Sequence, residues 1–331
     1  MKIRHKILII RFSSIGDIVL TSPVVRCMKS QIPGLELHYL TKKQFFPVLE
    51  ANPYIDKVWQ YDHNFDDLLP QLQSQGFDCV VDLHKNYRSL YVIQKLRIKS
   101  LAFSKLNLRK WLVVNFKINL LPSVHIVDRY LEPVLHLGVH NDGKGLDYFI
   151  PENDGLNPDT LPEALHQGFI AIVIGGKHNT KIFPEEKVAK VCDNLTRPVI
   201  LLGGDEDQAR GEKIVAATRS MVFNFCGRYS LNQSASLLRL ADAVLTNDTG
   251  LMHIAAAFHK RMVSVWGNTI PEFGMYPYLK GDDQSNSLIA QVKGLSCRPC
   301  SKLGYDRCPK KHFRCMNDID TLEITTFLNN H

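Results

Sequence analysis

The stretch from Val244 to Ala257 restricts the fold of this chain more than any other part of its sequence. It begins with apolar residues, passes through the polar turn Asn247-Asp248-Thr249, and continues from Gly250 in small and apolar residues. This order predicts a strand, a turn and a helix whose first backbone N–H groups point outward. A helix start of this kind binds phosphate, and a nucleotide diphosphate suits it. An ordinary strand, turn and well-capped helix would show the same pattern.

The side chains at the start of this predicted helix support phosphate binding. Asp248 and Thr249 are residue types that cap helices, and Gly250 allows a ligand to approach the backbone closely. His253 lies one helical turn further on, where its ring can reach the same anion. We therefore expect all four residues to contact a bound nucleotide diphosphate.

A second strand, loop and helix are predicted near the N-terminus. Residues 6–12 form an apolar run typical of a buried parallel strand, Ser13–Asp17 form the loop, and an amphipathic run extends from Ile18 to about Gln31. Two such units far apart in one chain predict two Rossmann-like halves with a cleft between them. Neither predicted strand is followed by G-x-G-x-x-G, which disfavours a nicotinamide or flavin site.

The rest of the chain continues this alternation of strands and helices, so the predicted fold class is α/β with parallel sheets. Residues 141–167 lack periodicity and are rich in Asn, Asp, Gly and Pro, which is typical of a linker. We expect an N-terminal domain over residues 1–150 and a C-terminal domain over residues 165–331. Further strands are predicted at 35–40, 79–83, 169–174, 198–202, 243–246 and 262–266.

Composition is that of a globular protein with enough apolar residues for two cores. The chain has 331 residues, of which 45% are hydrophobic and 22% are charged. It contains neither an apolar run of membrane-spanning length nor a secretory signal pattern, so we expect a cytoplasmic protein. The eight cysteines are then expected to be reduced thiols or metal ligands.

Positive charge is concentrated between Lys85 and Lys117, where no Asp or Glu occurs. Phe103, Trp111 and Phe116 alternate with these cations, as in surfaces that contact lipid headgroups or a phosphorylated glycolipid. A solvated face or a nucleic-acid surface would carry the same charge. The nine cations are Lys85, Arg88, Lys95, Arg97, Lys99, Lys105, Arg109, Lys110 and Lys117.

Four cysteines close to the C-terminus have an intermediate metal-binding pattern. They are spaced Cys297-x2-Cys300-x7-Cys308-x6-Cys315, and only the first spacing is typical of zinc. Unligated thiols are the default interpretation, with structural zinc left open, and we predict no metal at the functional site. The other four cysteines, Cys27, Cys79, Cys192 and Cys226, are predicted to lie in the core.

Six motifs of this chain, and their order along it, resemble those of the bacterial heptosyltransferases of glycosyltransferase family 9. The resemblance implies the GT-B fold and transfer of a heptose, with inversion, from an ADP-sugar to the inner core of lipopolysaccharide. It also implies a Kdo-lipid A type acceptor and the cytoplasmic face of the inner membrane. The motifs are Ser13–Asp17, Thr180–Glu186, Gly203–Asp205, Asn247–Ala257, Trp266–Thr269 and the terminal cysteine cluster.

The resemblance assigns the catalytic roles. Asp17 matches the family's catalytic aspartate and is the expected general base, although an aspartate at a helix start commonly just favours the helix dipole. Lys181, beside Thr180, is expected to hold the donor phosphates where many other transferases use a divalent ion, so no cofactor is expected. Phe183 stands where the family often carries Trp.

Further contacts are implied for both substrates. Glu206 is expected to contact the donor ribose and Tyr229 the adenine, although a core tyrosine would look the same. The triplets Asp205-Glu206-Asp207 and Asp318-Ile319-Asp320 are interpreted as capped turns instead of metal sites. The acceptor is expected to contact Ser14, Gly16, Lys85 and Arg88.

The sequence therefore predicts a monomeric glycosyltransferase that associates peripherally with an anionic membrane and binds no nucleic acid. Two alternatives stay open. The chain could use another nucleotide sugar or acceptor within the same family, or it could be a non-catalytic binder of nucleotide sugars or glycolipids. Retention of Asp17 and Lys181 together with Asp248-Thr249-Gly250 favours an enzyme.

Overall fold

The computed structural model describes residues 5–281 and 284–330 of the chain. These residues form two compact units, each with its own parallel sheet. This two-unit α/β architecture confirms the predicted fold class.

The two units are not simple halves of the sequence. The first contains the described residues up to Lys105 together with Val124–Pro151. The second contains Leu106–Ser123 together with the described residues from Glu152 onward. Residues 106–123 fall in the predicted N-terminal domain, whereas their contacts group them with the second unit.

The first unit is built on a five-stranded sheet in the order β3-β2-β1-β4-β5. The central strand β1 is fully buried at Leu8, Ile9 and Ile10, because parallel sheets are covered on both faces. All the pairings are parallel. The strands are β1 (Lys6–Ile10), β2 (Glu36–Lys42), β3 (Lys57–Tyr61), β4 (Cys79–Asp82) and β5 (Lys99–Ala102).

The predicted helix from Ile18 to Gln31 is wrong as a single element, because two helices occupy this stretch. Thr21 lies between them, and its hydroxyl donates to the carbonyl of Ile18 at 2.7 Å. Pro23 lies in the first turn of the second helix, where its missing N–H is not needed. The helices up to residue 131 are α1 (Ile15–Val19), α2 (Ser22–Gln31), α3 (Leu68–Gln73), α4 (Tyr87–Leu96), α5 (Asn107–Phe116) and α6 (Ile126–Leu131).

A buried arginine fixes the beginning of the predicted linker to α2. Arg26 donates to both carboxylate oxygens of Asp142, at 2.7 and 2.8 Å, and forms a further ion pair with Asp147. It also donates to the carbonyl of Gly145 at 2.9 Å. These contacts give residues 142–147 a defined path along the first unit.

The second unit is built on a six-stranded sheet in the order β11-β10-β9-β6-β7-β8. Every pairing is again parallel. The strands are β6 (Ile170–Val173), β7 (Val199–Leu202), β8 (Val222–Asn224), β9 (Ala243–Asn247), β10 (Arg261–Trp266) and β11 (Ser287–Gln291).

The helices of the second unit include the two that the acidic triplets were predicted to cap. Asp320 accepts the N–H of Leu322 at 2.8 Å, and Asp207 accepts the N–H of Gly204 at 3.1 Å, which confirms the capped turns. The helices are α7 (Glu185–Cys192), α8 (Gln208–Ala217), α9 (Leu231–Leu240), α10 (Gly250–Ala257), α11 (Arg314–Asn317) and α12 (Thr321–Asn329).

Each sheet has a point at which the order of its strands reverses. In the first sheet it lies between β1 and β4, and in the second between β6 and β9. Open α/β sheets bind ligands at the carboxyl ends of the strands that flank such a point. Both strand, loop and helix segments singled out from the sequence begin there.

Over the part of the chain that the structure describes, no helix combines the length and the apolar character needed to cross a bilayer.

Candidate active site

The loops after β6 and β9 are fixed together by the last residue of β9. The side-chain amide of Asn247 donates to the carbonyls of Val173 and Gly175, at 3.2 and 3.1 Å. Its oxygen accepts the N–H of Phe183 at 3.1 Å. Asn247 thus joins three segments of the second unit at the reversal point, and it holds the start of α10 in a fixed position.

Lys181 lies directly beside this helix start. Its ammonium is 2.5 Å from a carboxylate oxygen of Asp248, and the same oxygen accepts the hydroxyl of Thr269 at 2.9 Å. The two charged side chains are largely buried, with 17% and 12% of their surfaces exposed. The structure therefore brings together Lys181 and Asp248, two of the predicted donor-site residues.

Thr249 occupies the N-cap position of α10. The prediction that the side chains of Asp248 and Thr249 cap this helix is wrong. The backbone of Thr249 is extended, and its hydroxyl makes no capping hydrogen bond. That hydroxyl oxygen is buried and has no hydrogen-bond partner among the described residues. Asp248 is engaged by Lys181 and Thr269. Gly250 follows at the first helical position, and His253 is buried one turn later.

Thr180 precedes Lys181 and makes a reciprocal pair of hydrogen bonds with Tyr305. Its hydroxyl donates to the carbonyl of Tyr305 at 3.0 Å and accepts the N–H of Tyr305 at 2.8 Å. The side chain is 2% exposed. Thr180 therefore fixes the loop that carries Lys181 to the cysteine-rich segment.

Glu206 and Tyr229 follow the carboxyl ends of β7 and β8, at the same edge of the sheet. Glu206 is exposed in a 3₁₀ turn over Asp205–Asp207. Tyr229 is half-buried and packs its ring edge against Phe225, with the ring centres 5.4 Å apart. The position of each is compatible with the expected donor contacts, which stay predictions.

In the first unit, Asp17 lies in the first turn of α1. Its carboxylate accepts the backbone N–H of Ser14 at 3.2 Å and the hydroxyl of Ser14 at 2.8 Å. Ser14 is the N-cap residue, so the two residues form a capping box. Gly16 is buried between them in this turn. The capping role and a catalytic role are compatible, because one carboxylate can do both.

Arg11 determines the position of the second carboxylate oxygen. Its guanidinium pairs with Asp17 at 2.7 Å and donates to the carbonyl of Leu83 at 2.6 Å and to the hydroxyl of Tyr130 at 2.8 Å. Burial alone would lower the pKa of Arg11, but the charge of Asp17 and the hydroxyls of Tyr130 and Tyr39 raise it. Arg11 therefore joins the loops after β1 and β4.

The two predicted acceptor cations follow β4: Lys85 lies in the loop after this strand and Arg88 in the first turn of α4. Asp82 accepts the backbone N–H groups of His84 and Lys85 at 2.9 and 2.7 Å, which fixes the turn. The ammonium of Lys85 donates to the carbonyl of Phe103 at 3.1 Å. Arg88 lies over the ring of Tyr87, 4.7 Å from its centre, on the wall of an open groove.

The sequence profile of glycosyltransferase family 9 (heptosyltransferase) matches residues 66–302. The chain belongs to glycosyltransferase family 9. It is therefore a glycosyltransferase, and the resemblance drawn from six motifs is confirmed.

Curated members of family 9 match over most of their length. The lipopolysaccharide heptosyltransferase 1 of Campylobacter coli is 23% identical over 80% of this chain and 84% of its own. The lipooligosaccharide heptosyltransferase 2 of Haemophilus influenzae is 24% identical over 81% of this chain and 84% of its own.

Solved structures of the family share the fold. A family 9 glycosyltransferase of Veillonella parvula superposes with a TM-score of 0.77 at 20% identity, covering 99% of this chain and 97% of its own. The E. coli ADP-heptose lps heptosyltransferase II superposes with a TM-score of 0.73 at 19% identity, covering 98% of this chain and 97% of its own. These likenesses confirm the predicted GT-B class.

His84 lies close to Arg11 in this family 9 enzyme, and the sequence analysis did not identify it. Burial lowers the pKa of its ring to about 3, helped by the positive charges of Arg11 and Lys105. Its Nδ1 atom is buried and has no hydrogen-bond partner within residues 5–281 and 284–330. The ring is therefore neutral at physiological pH.

The cysteine predictions are partly tested. All eight cysteines lie in the described part of the chain and are free thiols, and Cys27, Cys79, Cys192 and Cys226 are buried as predicted. In the terminal cluster, the thiol of Cys300 donates to the carbonyl of Cys297 at 3.1 Å. No three His, Cys, Asp or Glu side chains within the described ranges are arranged to hold a metal ion.

Several site residues escaped the sequence analysis because their partners are distant in the chain. Arg11 contacts residues 72 and 119 positions away, and Asn247 contacts residues 64 to 74 positions away. One signal was available: each is a polar residue at the end of a buried apolar run. Thr269 ends the motif Trp266–Thr269, but no sequence signal indicated its contact with Asp248, 21 positions earlier in the chain.

Proposed function

We propose that this family 9 enzyme transfers a heptose, with inversion, from ADP-heptose to the inner core of lipopolysaccharide on a Kdo-lipid A type acceptor. One observation supports the donor site most directly. The start of α10 lies at the reversal point of the second sheet, beside the Lys181–Asp248 pair and with the buried hydroxyl of Thr249 lacking a partner among the described residues. This arrangement suits a diphosphate.

The identity of the donor is supported by relatives. An E. coli heptosyltransferase with 19% identity to this chain was solved with ADP, and a second structure contains ADP-2-deoxy-2-fluoro heptose. Glu206 and Tyr229 lie at the same edge of the sheet as the start of α10. The ribose and the adenine of a nucleoside diphosphate bound there would need partners at this edge. We assign the ribose contact to Glu206 and the adenine contact to Tyr229.

In this proposal the second unit stabilises the leaving group. As the bond between the anomeric carbon and the diphosphate breaks, its electron pair stays on the diphosphate, which leaves as ADP. The first N–H groups of α10, the hydroxyl of Thr249 and the ammonium of Lys181 oppose this growing charge. Asp248 keeps Lys181 at the helix start before the donor binds. Gly250 and His253 complete the donor site.

The first unit activates the acceptor. Asp17 takes the proton from the acceptor hydroxyl while the hydroxyl oxygen forms a bond to the anomeric carbon. Attack from the face opposite the departing ADP inverts the configuration. Arg11 and Ser14 orient the carboxylate of Asp17 through the contacts described above.

The acceptor and the membrane are anionic in this proposal. Lys85 and Arg88 follow β4 at the carboxyl edge of the first sheet, where Asp17 also lies, and they would bind acidic groups of the acceptor. The nine cations between Lys85 and Lys117 would attract the enzyme to the anionic inner membrane, each contributing on the order of 1 kcal/mol near the surface. We therefore place the enzyme in the cytoplasm, peripherally bound and monomeric.

A donor screen tests this function. The purified enzyme is offered ADP-heptose, ADP-glucose, UDP-glucose and GDP-mannose, each with a deacylated Kdo-lipid A acceptor, and release of free nucleotide is followed. We expect ADP release from ADP-heptose that depends on the acceptor. Preference for another sugar nucleotide would support the alternative within the family. Binding of ADP-heptose without any turnover would support a non-catalytic binder and refute the proposal.

A further inference from the structure

Helix α5 presents apolar side chains to solvent instead of burying them. Val113 is its only buried residue. By contrast, Leu108, Trp111 and Phe116 are 70%, 47% and 59% exposed. Leu108 lies one helical turn before Trp111, and the ring centres of Trp111 and Phe116 are 5.3 Å apart, so the three side chains lie together on one broad face of the helix. A helix of a soluble domain normally has the opposite distribution.

This apolar face continues into the segment after the helix. Ile118 and Leu120 are 50% and 56% exposed. Five large apolar side chains are therefore exposed between residues 108 and 120. Single exposed apolar residues are normal on protein surfaces, but a contiguous set marks an interaction site. We call Leu108, Trp111, Phe116, Ile118 and Leu120 the α5 stripe.

The charge around the α5 stripe favours an anionic partner. Arg109, Lys110 and Lys117 lie in the same segment, and the chain has no acidic residue between Asp82 and Asp128. A second copy of this chain would bring the same positive charge against the stripe and be repelled. Exposed Trp, Phe and Leu beside Arg and Lys are typical of helices that lie in the interface of an anionic bilayer.

The structure holds this helix in place from its other side. The ammonium of Lys117 donates to the carbonyls of Val114, Cys297 and Pro299, at 2.8, 3.3 and 2.7 Å. The ammonium of Lys110 lies 5.4 Å from the ring centre of Phe273. Because both ends of α5 are attached to the second unit, the stripe is presented on a supported helix.

We propose that the α5 stripe inserts into the interfacial region of an anionic phospholipid bilayer. This deepens the proposed peripheral membrane association and rests on that part of the proposed function. It adds a hydrophobic component to the electrostatic attraction. Salt screens attraction between exposed charges but does not weaken apolar burial, so the two components can be separated.

Tryptophan fluorescence can report this insertion without a label. The chain has three tryptophans, of which Trp59 and Trp266 are buried and Trp111 is exposed. The full-length enzyme is titrated with vesicles of phosphatidylglycerol and phosphatidylethanolamine, without any glycolipid. We expect the emission of Trp111 to shift to shorter wavelength and to be quenched by lipids brominated in the upper acyl chain. We expect a measurable part of the shift to persist at high salt.

Matched variants test whether the stripe is responsible. L108N/L120N removes two apolar side chains that are 70% and 56% exposed and leaves Trp111 in place as the fluorescent probe. L303N/L322N removes two that are 68% and 69% exposed elsewhere in the same unit. We expect the first variant to lose about tenfold in vesicle partitioning, or about 1.4 kcal/mol. The second should partition like the wild type.

Three outcomes would overturn the proposal: no change in Trp111 emission with vesicles, equal losses in both variants, or a shift that depends on protein concentration without lipid. The last outcome would instead indicate contact between two copies. Turnover of ADP-heptose with a deacylated, water-soluble acceptor is measured in parallel. If the wild type turns over normally but does not bind vesicles, only the insertion is refuted. If the wild type inserts normally but shows no turnover, only the transferase function is refuted.

Discussion

Arg11 and Asp17 form an ion pair of 2.7 Å between the end of β1 and the first turn of α1. Three further acceptors, the carbonyls of Ser13 and Leu83 and the hydroxyl of Tyr130, fix the guanidinium. The direction of the Asp17 carboxylate is therefore set by residues from three segments of the first unit: the loop after β1, the loop after β4 and α6.

Replacing Asp17 by Asn tests the proposed general base. The amide keeps the size of the side chain but cannot accept the proton, so we expect kcat to fall on the order of a hundredfold or more. Affinity for ADP, measured by calorimetry, should be unchanged. D66N, at an exposed position of the same unit, is the control. Turnover near that of the wild type would remove Asp17 from the mechanism.

Arg11→Lys tests the positioning of that base. A lysine cannot contact Asp17, Leu83 and Tyr130 at once, because its ammonium lacks the planar fork of a guanidinium. We expect kcat to fall about tenfold with little change in KM for the donor, and the pH profile of kcat to move. A purely structural role for Arg11 would lower the melting temperature and leave the pH profile in place.

Variants at the start of α10 test the donor site. K181A removes an ammonium and T249V a hydroxyl, each of which we place against the diphosphate. Losing a hydrogen bond to a charged group costs about 1.5–3 kcal/mol, so ADP affinity should fall about tenfold or more in each. K190A, at an exposed position of α7, is the control. Unchanged affinity in both variants would place the nucleotide elsewhere.

The ion pair of Arg26 with Asp142 predicts a pH-dependent stability. The hydrogen bonds from Arg26 lower the pKa of Asp142 from 3.8 to about 2. A carboxylate with a lowered pKa stabilises the fold above its unfolded-state pKa, and this contribution is lost as the pH falls from 3.8 through 2.

We therefore expect the free energy of unfolding of D142N to be on the order of 2 kcal/mol lower than that of the wild type at neutral pH. The difference from the wild type should shrink as the pH drops below 4. Urea unfolding at several pH values measures it, and D67N, on an exposed residue, is the control. A constant difference across this range would show that the charge of Asp142 contributes nothing.

The depressed pKa of His84 predicts a neutral ring throughout the working range of the enzyme. Burial is the main cause, and Arg11 and Lys105 add to it. A histidine whose pKa is lowered stabilises the fold fully above 6.5, and that contribution is lost progressively towards pH 3. Proton NMR, with H84N to assign the signal, should show no titration of this ring near pH 6.5. A normal titration would contradict the burial.

The sequence predicted those elements whose apolar runs are buried on both faces of a sheet. β1 and β9, with the turns and helices that follow them, belong to this group. The edge strands β3, β5, β8 and β11 were missed: Lys99 and Ser100 are exposed in β5, for example, and β8 has three residues. Their formation depends on neighbours that pair with them, which the local pattern does not contain.

The candidate site was predictable where a single segment carries it. Asp248, Thr249 and Gly250 are consecutive, so their common position followed from the strand, turn and helix pattern. Contacts such as that of Lys181 with Asp248 depend on the order of strands in the sheet. No local pattern specifies that order, because it arises from packing between segments 67 positions apart.

The hydrogen bond of Lys117 to the carbonyl of Cys297 spans 180 positions of the chain. On a ribosome, the end of α5 must therefore wait for almost the whole second unit to be synthesised. At the usual rates of synthesis this delay is about 9 to 36 s. The five side chains of the α5 stripe emerge early while the residues that support their helix emerge late. The nascent chain thus displays the α5 stripe long before it can complete the unit that carries it.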